Sequence, residues 1–302
     1  MHIKYFKTAF IGMVFLGAFS AVLTSCSSDD NESGSTEQPT DGRKLRQLTI
    51  TDVPITRAML TDNTTSLGAT WSAGDKATYF NLSSYNSTVM HFGTLISSKE
   101  ATESTFTGTV QCTHGEKIAL FYPATDPFTS GSDRGTFAIN LSGQKGTLED
   151  VANNYHYIYG VGEITSVTDN TANATIASMK SLLAVCKFTF KDNTDVGIPV
   201  KELTIGYGNY KYPLSGTVKP SYNASSVVAN PAAPSTWKPL TVTLVNEKVD
   251  GVVYVALFPC GNESREEFHF TVTGSAGTYT GTATAKLNAG KFYPVTLNLT
   301  KQ

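Results

Sequence analysis

The chain has 302 residues, a formal net charge of −2 and 40% hydrophobic residues, with 16 Phe and 14 Tyr among them. That length suits two ordinary domains, and the aromatics supply enough apolar surface for their cores. The near-neutral balance leaves no electrostatic footprint for nucleic acid or an anionic membrane patch, so nucleic acid is not an expected partner.

The first element is an export signal. Lys4 and Lys7 precede an uncharged run over 8–25 that is mostly apolar over 9–23. The run is short for a spanning helix and has the length of a signal peptide's apolar region. Leu23-Thr24-Ser25 then leads into Cys26, which puts small residues before a nucleophilic thiol, as lipid transfer requires. Residues 1–25 read as a lipoprotein signal peptide and Cys26 as the lipidated first residue of the mature chain, on a membrane surface outside the cytoplasm. Each buried methylene is worth about 0.8 kcal/mol, so two or three acyl chains hold essentially irreversibly. A secretory signal with an incidental cysteine and a transmembrane anchor are the alternatives. Residues 26–44 read as a disordered tether, because 27–42 hold almost nothing apolar and cannot offset the entropy of ordering. Asp29 and Asp30 resemble the surface-export signal of Bacteroidales lipoproteins, with a plain polar linker as the alternative.

The rest of the chain reads as all-β. A first strand spans 45–55, with Leu48, Ile50 and Asp52 on one face and Gln47, Thr49, Thr51 and Val53 on the other. Leu48 and Ile50 are expected to point inward, and Pro54 to interrupt the ladder. Alternating runs rich in Thr, Val, Tyr and Phe follow at 105–110, 185–190, 241–245, 252–258, 268–272, 279–285 and 295–299. Gly, Asn, Asp and Ser separate them at the spacing of sandwich strands. No segment carries a long 3.6-residue period, although 177–184 could form a helical turn. The polar stretch 162–173 marks the best boundary, giving two tandem β-sandwich domains over 45–172 and 173–302.

Signals for chemistry are sparse. The sequence has no Gly-x-Ser-x-Gly elbow, His-Glu-x-x-His, Cys-x-x-Cys or phosphate loop. His91, His114, His156 and His269 are far apart, and His269 should face away from its neighbours Phe268 and Phe270. The run Asp192 to Gly197 superficially suggests a calcium loop, but it lacks the third, fifth and closing ligands and reads as a turn. Tyr207, Tyr210 and Tyr212 could form a sugar-stacking platform or pack as core. Cys112, Cys186 and Cys260 leave an odd thiol in an exported chain. Cys186 and Cys260 could pair, or all three could be buried core residues. No catalytic residue, cofactor or metal is expected, and the chain does not read as an enzyme.

Several segments, in order, resemble the fimbrillin family of the Bacteroidales, the type V pilins. Thr56-Arg57-Ala58 followed by Trp71-Ser72-Ala73-Gly74-Asp75 looks like the family's N-terminal region. Ile118 through Ala124 is similar to its strand ending in Tyr-Pro, and 182–190 to the first strand of its second domain. Leu287-Asn288-Ala289-Gly290-Lys291-Phe292-Tyr293 resembles the closing turn before its final strand. The resemblance implies a structural subunit of a cell-surface fimbria with two transthyretin-like sandwiches, made as an outer-membrane lipoprotein precursor. It implies cleavage by an Arg-specific protease after the first strand, and assembly with other pilin subunits by β-strand donation. Arg57 is the position that would release lipid, tether and strand together. Arg43 and Arg46 are rival sites whose cleavage would leave the strand attached. A host or bacterial surface ligand is implied but not identified. Only Lys301 and Gln302 follow the strand-like run 292–300, which leans towards a tip or accessory subunit rather than a stalk. The alternative reading is a surface glycan-binding outer-membrane lipoprotein.

Overall fold

The computed structural model describes residues 43–54, 59–84, 89–207, 211–223, 226–260 and 265–302. Cys26 and Arg57 lie outside these described residues, as does Tyr210. The first ten strands are β1 (Lys44–Pro54), β2 (Met59–Asp62), β3 (Leu67–Thr70), β4 (Lys76–Asn81), β5 (Phe92–Ser97), β6 (Glu103–Cys112), β7 (Lys117–Tyr122), β8 (Phe137–Asn140), β9 (Ile158–Val167) and β10 (Thr171–Ser181). The second ten are β11 (Ala184–Lys191), β12 (Val200–Gly206), β13 (Ser215–Val218), β14 (Ala229–Pro231), β15 (Leu240–Lys248), β16 (Val252–Leu257), β17 (Glu266–Gly274), β18 (Gly277–Ala285), β19 (Phe292–Asn298) and β20 (Thr300–Lys301). Each alternating run of the sequence falls on one of these strands, so the chain is all-β as expected.

The sandwich expected over 45–172 closes into a barrel in the order β1-β10-β9-β7-β4-β5-β6, with β6 returning to β1. Closure follows from β1 pairing on both sides, antiparallel to β6 and parallel to β10. In the second half, the sheets β16-β11-β19 and β15-β12-β17-β18-β20 face each other, with Phe188 of β11 edge-on to Phe270 of β17 at 5.1 Å. A third sheet, β14-β13-β8, pairs a strand from each half.

Two expectations change. The residues 177–184 form no helical turn: β10 runs to Ser181, with an irregularity at Ala177 and Ser178 where its register against β9 shifts, and β11 begins at Ala184. The polar stretch 162–173 is the β9–β10 hairpin, closed by Thr168 N–H donating to Thr171 O at 2.8 Å. Its polarity is that of a hairpin tip, and position 172 lies within a barrel strand. The passage from barrel to sandwich sheets comes at Leu182 and Leu183.

The core has two parts. Inside the barrel sit Leu48, Ile50, Val53, Trp71, Tyr79, Leu95, Phe106, Leu120 and Ile158, all fully buried. Strand β7 is buried on both faces, which explains the continuous apolar run Ile118 to Tyr122. Ile118 and Leu120 point into the barrel. Phe121 points out, stacks on Phe137 at 4.4 Å and joins a core that continues through the sandwich. Residues Asp41–Gln302 accordingly form one compact unit.

Candidate functional site

The element with the most consequential position is β1. Its Thr and Ile residues suit a pleated surface, and its alternation sends Leu48 and Ile50 inward with no exposure. Leu48 lies opposite Gly108 on β6 and Ala172 on β10, and Ile50 opposite Phe106 and Ala174. Small neighbours on one flank leave room for the large inward residues. Gly108 is required for this packing, because a Cβ there would lie 2.5 Å from the Thr94 carbonyl oxygen and 2.8 Å from Leu95 on β5.

The strict alternation breaks after Ile50. The register against β6 shifts between Ile50 and Val53, and Asp52 adopts φ 50°. One extra residue in a strand bends it and re-aims the next side chain. Asp52 is therefore exposed and Val53 fully buried, the reverse of the faces that simple alternation assigns them. The bulge also presents the Val53 carbonyl to Trp71, whose Nε1 donates to it at 3.0 Å. Trp71 itself is locked by edge contacts with Phe106 (4.7 Å) and Tyr122 (5.4 Å).

Polar contacts hold the other end of β1. Arg43 Nε donates to Glu116, which also accepts from Asn81 Nδ2 and the Thr113 backbone N–H, both at 2.7 Å. Lys44 pairs with Asp169 at 3.0 Å on the surface, and this contact holds the Asp169 carboxyl below its ordinary range. Arg46 is buried; it donates to Thr168 O at 2.7 Å and to the Cys112 carbonyl. Burial pushes the Cys112 thiol up, against an opposing pull from Arg46.

These contacts separate the sequence-level cleavage sites. Arg43 is engaged by Glu116. Arg46 sits in the β6 ladder opposite Val110, with its side chain turned into the protein. A protease must draw an accessible, extended segment into its cleft, and Arg46, buried within the β1 ladder, does not offer one. Arg57 and the lipidation residue Cys26 fall outside the described residues. Sequence reasoning did not find Glu116, Gly108 or the Trp71–Val53 contact. A glycine inside the alternating run 105–110 was a readable signal of close backbone approach.

Other candidates resolve into structure. Asp192 Oδ1 accepts from the N–H groups of Thr194 and Val196 and from the Thr194 hydroxyl. That is a self-satisfied turn, and these bonds hold the Asp192 carboxyl low. Tyr212 is fully buried and packs on Tyr207 at 5.0 Å, with Tyr207 edge-on to Phe268, so these two belong to the core rather than to a surface platform. Cys112, Cys186 and Cys260 are all buried free thiols. His91 faces Gln111 at 2.7 Å, His156 faces Ser181 at 3.2 Å, and His269 lies 3.1 Å from Glu267. Among the described residues no group of three His, Cys, Asp or Glu could hold a metal ion, and no helix is long and apolar enough to cross a membrane.

Removal of β1 would bare two ladder edges, β6 and β10, over a floor that includes Trp71 and Phe106. Such an edge above an apolar groove is a template for another strand.

No family model matches the chain, and comparison with curated proteins finds no match. Solved structures do match. A candidate cell adhesion protein from Bacteroides uniformis is similar at 15% identity and TM-score 0.52, over 86% of this chain and 94% of that one. A candidate cell adhesion protein from Bacteroides fragilis matches at 8% identity and TM-score 0.46, over 83% and 91%. The shaft pilin spaA of Lactobacillus rhamnosus GG matches at 10% identity and TM-score 0.32, over 86% and 99%. At 15% identity the likeness to the Bacteroides uniformis protein is one of fold.

Proposed function

We propose that this chain is a structural pilin subunit of a cell-surface fimbria, built as two tandem β domains and assembled by replacement of its first strand. The precursor is a lipoprotein held in the outer membrane through Cys26. An Arg-specific protease cuts after Arg57 and frees the lipid, the tether and β1 together. A strand of another subunit then enters between β6 and β10. The observation that carries this reading is that β1 alone joins those two strands and lies directly before the segment containing Arg57. The shielding of Arg43 and Arg46 supports Arg57 as the processed residue. The adhesion and pilin descriptions of the similar structures agree with a non-enzymatic role at the cell surface.

Within a fimbria, a tip or accessory position suits the chain better than a stalk. Strand β19 is held along β11, Leu297 and Leu299 are buried, and β20 pairs with β18. A strand so embedded is a poor donor. Deleting 297–302 tests this: assembly that survives the deletion agrees with an acceptor-only subunit.

The direct test is to express the chain from Ser27, digest it with an Arg-specific protease, sequence the new N-terminus and image the product. The expected result is an N-terminus at Ala58 and oligomers or filaments. A stable core beginning at Leu45 or Gln47 overturns strand removal. A trimmed monomer that binds soluble polysaccharide favours a glycan-binding lipoprotein instead.

A further inference from the structure

The barrel mouth beside the first residues of β1 is built to take positive charge, and its acceptors belong to the barrel rather than to the strand. Glu116 lies in the turn between β6 and β7, and its side chain is only 7% exposed. One carboxylate oxygen, Oε2, accepts from Asn81 Nδ2 and from the Thr113 N–H, both at 2.7 Å. Those two bonds fix the group and leave the other oxygen, Oε1, to accept from Arg43. In the same mouth, Arg46 Nε donates to the Thr168 carbonyl at 2.7 Å and Nη1 to the Cys112 carbonyl. Thr168 lies in the β9–β10 hairpin and Cys112 ends β6, so one guanidinium spans both walls of the groove.

Loss of β1 would take the Arg43 guanidinium away from Glu116 and open the carboxylate to water. The cost then falls on the strand that enters next. A strand with no cation there takes a carboxylate out of water and returns nothing to Oε1, and a buried charge left without a partner is heavily penalised. An acidic residue at that place adds like-charge repulsion. A lysine supplies one compact ammonium, whereas a guanidinium offers several N–H donors in a fixed fork and is the more weakly hydrated cation. Asp169 on the rim, which Lys44 meets at 3.0 Å, draws positive charge to the same end.

We propose that this mouth is a guanidinium-binding subsite of the vacated groove, and that the strand replacing β1 carries an arginine at the end that lies beside Cys112 and Glu116. This inference rests on the strand-replacement reading above and specifies the partner that reading requires. The selection acts on side-chain chemistry at one end of the groove and leaves the apolar spacing of the entering strand free. No arginine follows Arg265 in this chain, so its last strands bring only lysine to such a mouth. A second copy donating them would meet the subsite poorly, and the donor is a different subunit.

The test uses the full chain from Ser27, digested with an Arg-specific protease that is then removed, and three synthetic peptides of residues 43–54. One has the natural sequence, one carries Arg43→Lys, and one has citrulline, the uncharged isostere of arginine, at position 43. The natural peptide is expected to bind about tenfold to a hundredfold more tightly than the citrulline peptide, the worth of a hydrogen bond to a charged group, with the lysine peptide between them. On Glu116→Gln chains the three should bind nearly alike. Lysine binding as tightly as arginine overturns the guanidinium preference. Citrulline binding as tightly overturns the subsite, as does a preference that persists in Glu116→Gln. A second arm uses the uncut chain and does not depend on processing. There Arg43→Met should lower the denaturant midpoint of the wild type and leave that of Glu116→Gln unchanged. If the digested chain keeps its own β1 against excess peptide, strand removal is what fails, and the uncut arm still decides the subsite: a loss confined to the chain with Glu116 supports it, and an equal loss in both overturns it.

Discussion

Replacing Ile50 with alanine measures what holds β1 in place. Ile50 has no exposure and lies between Phe106 and Ala174. The aromatic neighbour is packed edge-on against Trp71, and the small one cannot reach into the space left by the substitution, so the cavity should collapse little. Buried Ile→Ala changes cost about 2–5 kcal/mol, and a rigid surround favours the upper half, about 3–5 kcal/mol. For a unit of this size each kcal/mol shifts the midpoint by roughly 2–4 °C, so a fall of about 6–20 °C is expected. The same loss acts on strand retention after cleavage. It should multiply the fraction of digested chains that have lost β1 by roughly a hundredfold or more while most chains still hold it. Thr49→Ala is the control: Thr49 lies on the opposite face of β1, half-buried, where substitutions are usually within about 0.5 kcal/mol. Denaturant unfolding of the intact chain and mass spectrometry of the digested one read both quantities. If Ile50→Ala and Thr49→Ala behave alike in both assays, inward packing does not retain β1.

Three other perturbations probe the surroundings. Glu116→Ala leaves the Arg43, Asn81 and Thr113 donors without their shared acceptor and should cost about 3–5 kcal/mol in denaturant unfolding, whereas Lys44→Ala breaks only a surface pair and should leave the midpoint unchanged; a larger effect at Lys44 contradicts this ordering. Gly108→Ala forces a Cβ against the Thr94 backbone, which no side-chain rotation relieves, and should cost about 1–3 kcal/mol; a neutral result would show that β5 and β6 can part freely. Asp62 accepts from Lys187 Nζ and Tyr254 OH, each at 2.6 Å. Burial raises its pKa, but Lys187, Tyr254 and the Thr64 N–H outweigh burial and hold it below the ordinary 3.8. Its stabilisation is thus complete above that ordinary value and lost as pH falls through the folded one. The midpoint difference between wild type and Asp62→Asn should shrink as acid is added below about pH 4, and a difference that grows there would refute the assignment.

How far the sequence could be read depends on which forces are periodic. The run 185–190 alternates because one face of β11 meets the opposing sheet, and the run 118–122 is continuous because β7 is buried on both faces. Both patterns are imprinted by burial and are visible in one dimension. The first strand was legible for the same reason as far as Ile50. Its bulge was not, because Asp52 and Val53 look like ordinary members of an alternating strand until the register against β6 is known. The hairpin at 162–173 shows the opposite failure. A tip and a linker are both polar for lack of anything to bury, so composition cannot separate them. Glu116 lay beyond reach because its partners Arg43, Asn81 and Thr113 come from separate segments that only the closed barrel assembles. Trp71 stood out through its motif, but its carbonyl partner on β1 did not.

The two ends of the segment containing Arg57 are held to different degrees by different parts of the fold. Before it, β1 ends at Pro54 with Val53 seated under Trp71. After it, β2 pairs with β3, and Asp62 is tied to Lys187 of β11 and Tyr254 of β16. Hydrophobic seating and ladder bonds secure the first side; once the chain is cut these are non-covalent contacts of one strand with two neighbours, and another strand can reproduce them. The second side is secured by an ion pair and a hydrogen bond to the sandwich sheets, and no entering strand competes for those. Under the proposed strand replacement, a cut between them would have an asymmetric outcome: the β1 side would be exchangeable and the β2 side would stay. Substituting Asp62 tests the asymmetry. Asp62→Ala should leave cleavage and the loss of β1 unchanged while raising proteolytic trimming beyond Ala58, measured by N-terminal sequencing over time. Faster loss of β1 in that variant would mean that the two sides are coupled, and that the β2 anchor helps to hold the strand it was taken to be independent of.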